Sequence, residues 1–424
     1  MLADNLAHVA RSVPFPLGAA VTLAGLEGDP HPLLARLRED EPVSWVPALG
    51  GWLVTRYDLA VACLRDTRSF TVDDPRFTTA RVVGPSMLSL DGDAHGRHRD
   101  PFARAFRLAE GSTGLTAFTE SQAQRLVSVI RPRGTADVRR EVAGPLAVAV
   151  VAEALGLGHV EPPVILAWYN AIVGAVTSLS GPPGAAPVTP GEVPAADGAA
   201  GDEPAAEGAS AFGALAASLR EVIRADGTSL LCDAARTGRL GETEIVSNAA
   251  VIMFGGIETT EGMIANAALY LLGSPGQLAL VRDDPGLVPA AVEESLRLEP
   301  AAAFVDRYAT ADAEVGGAAI RRGDRVTVSL AAAGRDPAVF GDPDRFDVRR
   351  DSAARHLAFA HGPHFCLGAG LARLEAHAAI RALLGGLPGL RLDPRQPSAP
   401  RGLVFRKPPA LHVRWDARDT DGKP

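Results

Sequence analysis

The spacing of apolar side chains divides the first part of the chain into short helices and short β-prone runs. Residues 32–38 follow helical periodicity, with Pro32 in the first turn, where its missing N–H costs nothing. Residues 43–46 and 52–55 are rich in β-branched and aromatic side chains and are joined through Gly50 and Gly51, which predicts a β-hairpin. Asp58 then predicts the cap of a helix that runs to residue 65.

Helical periodicity dominates the rest of the chain. It covers residues 120–180, resumes at Phe212, and predicts a long helix over residues 242–272. That helix is apolar nearly all round at its centre, so we expect it to be buried. The β-prone runs are short and lie around residues 319–320, 326–330 and 411–415. The pattern predicts a mainly α protein with small β-sheets (α+β), and we expect residues 1–424 to form a single domain.

Two stretches lack this periodicity. Residues 70–92 are rich in turn-forming residues and are predicted to form a long loop. Residues 181–210 are mostly Gly, Ala, Pro, Glu and Asp, and contain no aromatic side chain. Such a composition buries too little apolar surface to offset the entropy of ordering, so we predict a disordered insertion. Its role is either that of a spacer or that of a gating or docking segment.

Composition and charge exclude several classes of protein. The 424 residues are 47% hydrophobic, and a net charge of −8 argues against a nucleic-acid binder. Three cysteines provide no disulfide framework and favour a reducing, cytoplasmic setting. The N-terminal residues lack the pattern of a signal peptide, and the longest apolar run, residues 164–179, is too short and too polar for a membrane anchor.

The first candidate for chemistry is Cys366, which ends the glycine-containing stretch Phe-Ala-His-Gly-Pro-His-Phe-Cys-Leu-Gly at residues 359–368. A helix-like run follows directly, so the sulfur lies near free backbone N–H groups and the positive end of a helix dipole. Both favour the thiolate, which is the metal-binding form and can ligate a haem iron. Taken alone, a single cysteine is more often a buried structural residue.

The second candidate is the segment Gly255-Gly256-Ile257-Glu258-Thr259-Thr260 in the middle of the predicted core helix. Glycines weaken a helix locally, and a hydroxyl that bonds back to a carbonyl one turn earlier bends it. The resulting groove leaves room for water or a small molecule, and an acid beside a hydroxyl there is a candidate proton relay. An accident of packing explains the segment equally well.

Two charged pairs have helical spacing. His95 and Arg99 are four residues apart and could hold a carboxylate or phosphate, although a solvated helix face is the simpler interpretation. Glu294 and Arg297 are three residues apart and meet on one helix face. An exposed pair of this kind contributes little to stability.

These segments together resemble the cytochromes P-450. Phe359, Gly362, His364, Cys366 and Gly368 match the haem-binding loop of that family, with Ala360 where the family usually has Gly. The Gly-Gly-Ile-Glu-Thr-Thr segment resembles the family's oxygen-binding segment, and Glu294 and Arg297 match its Glu-x-x-Arg pair. The motifs occur in the family's order over residues 30–415. The resemblance implies the fold of a triangular helical prism, with the haem between the long central helix and the cysteine-loop helix.

The resemblance also implies roles for individual residues. Cys366 would ligate the iron, while Thr259 and Glu258 would be catalytic and would supply protons for the cleavage of dioxygen. Arg345 would join Glu294 and Arg297 as the third member of a buried structural network. The implied haem-contacting residues are His95, Arg99, Gly255, Gly256, Arg307, Phe359, Gly362, His364 and Gly368. The implied substrate-contacting residues are Val82, Leu88, Val173, Met253, Phe304 and Phe405.

The implied function is that of a haem-thiolate monooxygenase of the soluble bacterial type. It would hydroxylate or epoxidise a small organic substrate, in secondary metabolism, with haem b as cofactor. The chain lacks a flavin or nicotinamide fingerprint, so electrons would come from NAD(P)H through a ferredoxin reductase and a ferredoxin, docking on Arg104, Arg107, Arg349 and Arg373. The alternatives are a peroxygenase, an oxidative-coupling or a nitrating enzyme on the same fold, and a non-catalytic haem-binding or docking module.

Overall fold

A computed structural model describes residues 15–110, 113–180, 203–225 and 227–416 of the protein. Within these ranges the α-helices, numbered in chain order, are α1 Pro16–Ala19, α2 Leu23–Glu27, α3 His31–Asp40, α4 Tyr57–Arg65, α5 Thr78–Val83, α6 Gly92–Glu110, α7 Thr113–Ile130, α8 Gly144–Leu155, α9 Pro162–Ser180, α10 Glu203–Ala225, α11 Leu230–Arg236, α12 Glu242–Leu272, α13 Pro275–Asp283, α14 Val288–Leu298, α15 Leu330–Ala333 and α16 Ala369–Gly386. The prediction of a mainly α protein is confirmed.

The strands are short and form three small sheets. They are β1 Val43–Val46, β2 Gly51–Val54, β3 Phe70–Thr71, β4 Thr135–Asp137, β5 Phe304–Ala309, β6 Ala313–Val315, β7 Ala318–Ile320, β8 Arg325–Ser329, β9 Arg391–Leu392 and β10 His412–Arg414. The largest sheet has the order β1-β2-β8-β5-β3, with β2 and β8 parallel and the other pairs antiparallel. The second sheet is β4-β10-β9, and β6 pairs with β7.

The predicted hairpin at the N-terminal end is confirmed, but the predicted cap of the next helix is wrong. Strands β1 and β2 pair antiparallel, and Gly50 turns between them at φ +61°. Helix α4 begins at Tyr57, so Asp58 lies in its first turn and pairs with Arg56. The N–H of Tyr57 instead donates to the Asp336 carboxylate (2.9 Å), a partner 279 residues away that no local pattern reveals.

The central helix α12 has the predicted bounds, from Glu242 to Leu272, and is buried along most of its length. One side packs against α7, α14 and α16, and the other packs against α8, α9, α10 and α11. None of the described helices is by itself long and apolar enough to cross a membrane. Helices α12 and α13 reach that length and hydrophobicity only when taken together, and their axes are bent by 102° at the break between them. The core helix of a protein, buried among other helices, can reach them equally well.

Two predictions about loops need correction. Residues 70–92 contain strand β3 and helix α5, so they do not form one long loop. Helix α10 begins at Glu203, so the last eight residues of the predicted insertion are helical. Small side chains allow this, since a Cβ at Gly208 would lie 2.3 Å from the Cβ of Ala175 on α9, which shows how closely the two helices approach. The remainder of the prediction, residues 181–202, lies outside the described residues.

Candidate active site

Residues 359–368 turn sharply before helix α16 and leave Cys366 exposed, whereas Cys63 and Cys232 are buried. The Cys366 N–H donates to the Phe359 carbonyl (2.8 Å), which closes the loop. Gly362 has φ +74°, and a Cβ there would lie 2.4 Å from the Leu64 carbonyl oxygen, so the position requires glycine. Ala360 also has a left-handed backbone, with φ +58°, which costs about 1 kcal/mol for alanine. The family's usual glycine avoids that cost.

The glycines of the central helix have different surroundings. A Cβ at Gly255 would meet nothing within 4 Å, whereas one at Gly256 would lie 3.1 Å from Val151 on α8. The Thr259 hydroxyl donates to the Gly255 carbonyl one turn earlier (2.6 Å). Helical phase places Ile252 on the same face as Gly255 and Thr259, and all three are partly exposed. This face of α12 therefore borders open space.

Glu258 is buried and has partners that the sequence did not indicate. Lys407 Nζ lies 2.7 Å from Glu258 Oε1 and also contacts Glu261. The hydroxyl of Tyr169 on α9 donates to Glu258 Oε2. Arg139 Nε lies 2.9 Å from the Glu261 carboxylate. Glu258 is thus held by the Lys407 ammonium and the Tyr169 phenol, which come from distant parts of the chain.

The four basic side chains among the predicted haem contacts, which are His95, Arg99, Arg307 and His364, differ in the partners of their polar atoms. His95 Nε2 is buried without a hydrogen-bond partner among the described residues, and its ring centroid lies 4.3 Å from that of His364. His364 Nε2 is hydrogen-bonded to Asp91 Oδ1 (2.7 Å). Arg99 Nη2 donates to the Phe365 carbonyl (2.5 Å), and the buried Arg307 donates to the Asp306 carbonyl (2.8 Å).

Electrostatics in this region favour an added anion. Burial, together with the positive charges of His364 and Arg99, lowers the pKa of His95 to about 4. Burial also lowers the pKa of the Arg307 guanidinium, although Asp91 and Asp306 oppose this. Two carboxylates placed here would relieve both effects, because they offer acceptors to His95 Nε2 and negative charge to Arg307. With the exposed Cys366 and the open space at Gly255, the residues present fit a haem.

Comparisons with known proteins agree with this geometry. A family model described as "Cytochrome P450" matches residues 285–387. Cytochrome P450 monooxygenase PikC of Streptomyces venezuelae is 36% identical over 409 residues, which cover 91% of each chain. The chain belongs to the cytochrome P450 family. Mycinamicin IV hydroxylase/epoxidase of Micromonospora griseorubida is 35% identical over 96% of this chain and 98% of its own. The crystal structure of CalO2 superposes with a TM-score of 0.81, at 30% identity, over 93% of this chain and 98% of that one.

The protein is therefore an oxidoreductase of the cytochrome P450 monooxygenase type, and its cofactor is haem b. In this family the reaction consumes electrons that come from NAD(P)H through redox partners. Its named relatives include a mycinamicin IV hydroxylase/epoxidase and a 6-deoxyerythronolide B hydroxylase.

The buried ion pair of this P450 has a different third member from the predicted one. Arg297 Nε and Nη2 donate to Glu294 at 2.7 and 2.8 Å, and both side chains are fully buried. Arg350 Nε donates to the same carboxylate at 3.0 Å. Arg345 instead turns its backbone carbonyl inward to Arg297 Nη2 (3.0 Å), and its side chain is 63% exposed. The prediction of Arg345 as the third charged partner is wrong.

The predicted substrate contacts divide into two groups. Val82, Leu88 and Phe405 are partly exposed. Met253 and Phe304 are only 1% and 4% exposed, and Val173 is also buried, because all three pack into hydrophobic clusters. The role of these three side chains as substrate contacts stays a prediction.

Phe254, the residue after Met253 on α12, was missed by the sequence analysis. It is partly exposed, and its ring lies 5.6 Å from Phe405 in a T-shaped contact and 6.4 Å from Tyr169. Helical phase was the available signal, because Phe254 lies one turn before Glu258 on the same face of α12.

Proposed function

We propose that this cytochrome P450 hydroxylates or epoxidises a small, largely apolar organic substrate in bacterial secondary metabolism. The proposal rests on similarity to PikC, to mycinamicin IV hydroxylase/epoxidase and to 6-deoxyerythronolide B hydroxylase of Saccharopolyspora erythraea. The partly exposed side chains Val82, Leu88, Phe254 and Phe405 support an apolar substrate, because they offer hydrophobic surface with little charge.

The observation that carries the residue assignment is the exposed thiol of Cys366 in a chain whose other two cysteines are buried. We assign Cys366 as the ligand of the haem iron. His95, Arg99, Arg307 and His364 would neutralise the two propionates. The haem supplies the oxidising chemistry when bound, and the protein supplies orientation, electrostatics and protons.

Proton movement on the open side of the haem is assigned to two side chains of α12. The Thr259 hydroxyl hydrogen-bonds the Gly255 carbonyl and can turn to donate into the space above it. Glu258 is the neighbouring group able to exchange a proton with water and pass it onward. Gly255 leaves room for water to carry these protons, since a Cβ at that position would meet nothing within 4 Å.

We propose that the electrons arrive through a small acidic ferredoxin and its reductase. Arg104, Arg107 and Arg349 are exposed and carry the positive charge that such a partner needs. Arg373 is less available, since it pairs with Glu293 at 2.6 Å and lies over the Phe359 ring. Charge reversal at Arg104 and Arg107 should slow reduction at low salt, and the difference should shrink as salt rises.

The test of the proposed function is the spectrum of the reduced protein under carbon monoxide. Wild type should show the red-shifted Soret band of a thiolate-ligated haem, and Cys232→Ala should keep it. Cys366→Ser should lose it. A wild-type spectrum without that band, or a Cys366→Ser spectrum that retains it, would refute the assignment.

The proton assignment has a separate test with any substrate that is turned over. Thr259→Ala should continue to consume electrons while product falls and hydrogen peroxide rises. Unchanged product per electron in Thr259→Ala would contradict the role given to its hydroxyl. The chemical form of the product distinguishes oxygen insertion from oxidative coupling or nitration.

A further inference from the structure

Residues 84–91, the Met87 segment, connect α5 to α6 and carry Leu88, a predicted substrate contact. Gly84 begins the segment at φ +85°, and a Cβ there would lie 3.1 Å from the Ser247 hydroxyl on α12. Met87 is 6% exposed and packs in the hydrophobic cluster that contains the first turns of α12, whereas Leu88 is partly exposed. The segment therefore has one side buried against the central helix, and Leu88 remains accessible beside it.

Asn248 anchors this segment to α12. Its side chain is fully buried, and its Oδ1 accepts a hydrogen bond from the Met87 N–H (2.8 Å). Its Nδ2 donates to the Glu244 carbonyl one turn earlier (2.7 Å) and lies 2.9 Å from Nδ1 of His98 on α6. The two backbone groups fix the orientation of the amide, because the N–H requires the oxygen and the carbonyl requires the nitrogen.

The orientation of the Asn248 amide decides the protonation state of His98, whose side chain is 2% exposed. Nδ1 of the ring faces an NH2 group, so it must accept a hydrogen bond, and the proton of the neutral ring lies on Nε2. The Glu244 carboxylate lies 3.4 Å from Nε2, on the side of that proton. A second proton, on Nδ1, would set donor against donor. The amide can then bond His98 only by turning over, which points its NH2 group at the Met87 N–H.

The charges around His98 favour the neutral ring. Arg97 Nη2 lies 3.1 Å from His98 Nε2 and also donates to the Glu244 carboxylate (2.6 Å). Burial lowers the pKa of His98 and the charge of Arg97 adds to this, although Glu244 opposes it. Asp100, also on α6, pairs with Arg239 at the surface (3.0 Å). The ring is therefore neutral at neutral pH and takes a proton only below the ordinary histidine pKa of about 6.5.

We propose that Asn248 is a positioning residue for substrate binding, which holds the Met87 segment against α12 as long as His98 is neutral. With the anchor in place, Leu88 has a fixed position for contact with substrate. When His98 is protonated the anchor opens, and that position is lost. The inference rests on the proposed function, since Leu88 meets a substrate only there, and it adds a route by which acid lowers substrate affinity without acting on the haem.

The experiment measures the Met87 amide directly. The chain has four methionines, so labelling methionine with heavy nitrogen gives few amide signals, and Met87→Leu identifies the one from Met87. The sample is the diamagnetic ferrous carbon monoxide complex of the holoprotein. The quantity is the protection factor, which is the intrinsic rate of hydrogen exchange divided by the observed rate. Met253 and Met263, on the same helix as Asn248, are internal controls.

The protection factor of Met87 in wild type should fall about tenfold, the equivalent of one hydrogen bond, as the pH falls through the His98 pKa. The two control amides should change little. His98→Asn places a carbonyl oxygen near the position of Nδ1, and acid does not protonate it, so protection should stay high and lose its pH dependence. Asn248→Leu should remove the protection at every pH. The matched control, His159→Asn at an exposed position, should behave as wild type.

Ligand binding tests the link to substrate. The probe is 4-phenylimidazole, which ligates the haem iron through its imidazole ring and carries a phenyl group beyond it, and imidazole is the control ligand. Asn248→Leu should weaken binding of the phenyl probe to the ferric protein several-fold more than binding of imidazole. Acid should produce the same excess in wild type relative to His98→Asn. Variants are compared at the same pH, so that protonation of the probe cancels.

Two results would overturn the proposal. One is a Met87 protection factor with the same pH dependence in wild type and in His98→Asn, a comparison that stands even where Asn248→Leu does not fold. The other is equal weakening of both ligands in Asn248→Leu. The thiolate Soret band under carbon monoxide separates this proposal from the proposed function, since its absence refutes that function, whereas its presence with unchanged protection refutes only the anchor.

Discussion

Arg350, and not Arg345, is the third charged partner of the buried Glu294–Arg297 pair, and this difference gives a quantitative prediction. Arg350 donates from Nε to the fully buried Glu294 carboxylate at 3.0 Å, and its Nη2 reaches the Asp342 and Arg345 carbonyls at 3.0 and 3.1 Å. In Arg350→Met the carboxylate loses one charge-assisted hydrogen bond that water cannot replace. That loss is about 2–3 kcal/mol, while the carbonyls are near enough to the surface to be rehydrated.

The matched control is Arg345→Met. The Arg345 side chain is 63% exposed and its Nη2 lies 3.9 Å from the Asp347 carboxylate, so its removal should change the unfolding free energy by less than about 0.5 kcal/mol. For a chain of 424 residues the unfolding entropy is about 0.9 kcal/mol/K. The expected decreases in Tm are therefore about 2–3 °C for Arg350→Met and less than about 1 °C for Arg345→Met.

The assays are urea unfolding for the free energies and thermal unfolding for Tm, both followed on the ferric holoprotein by far-UV circular dichroism with the Soret band recorded in parallel. A double-mutant cycle with Glu294→Gln should show a coupling energy of about 1 kcal/mol or more for Arg350 and none for Arg345. Equal destabilisation by the two arginine variants, or a larger coupling for Arg345, would refute the reasoning.

Two further predictions concern pH and haem retention. Burial opposes ionisation of Glu299, but the hydrogen bond from His31 and the charges of His31 and Arg406 lower its pKa to about 2. The folded-state pKa of Glu299 is below its unfolded value, so this stabilisation is complete above about pH 4.5 and is lost as the pH falls toward 2. Glu299→Gln should therefore flatten the decline in unfolding free energy over that range. The same change at the exposed Glu39 should leave the decline unaltered. His95→Leu removes a buried donor and should accelerate haem transfer to apomyoglobin several-fold, while the same change at the exposed His159 should leave the rate unaltered.

Local pattern in the amino-acid sequence was enough to predict several features of this protein. Helical periodicity placed α12 from Glu242 to Leu272, and the glycine pair predicted the β1-β2 hairpin, because both signals arise from residues adjacent in the chain. The spacing around Cys366 identified the loop that leads into α16 for the same reason.

Tertiary structure decided which distant side chains meet. Lys407 and Tyr169 reach Glu258 from positions 149 and 89 residues away in the chain, and Arg350 replaces Arg345 because the backbone turns the Arg345 carbonyl inward. Helix α10 begins at Glu203 because small residues pack closely on α9, a gain that composition alone does not reveal. Local pattern specifies the elements, but the partners of a buried charge depend on how those elements pack, since only packing excludes the water that would otherwise solvate it.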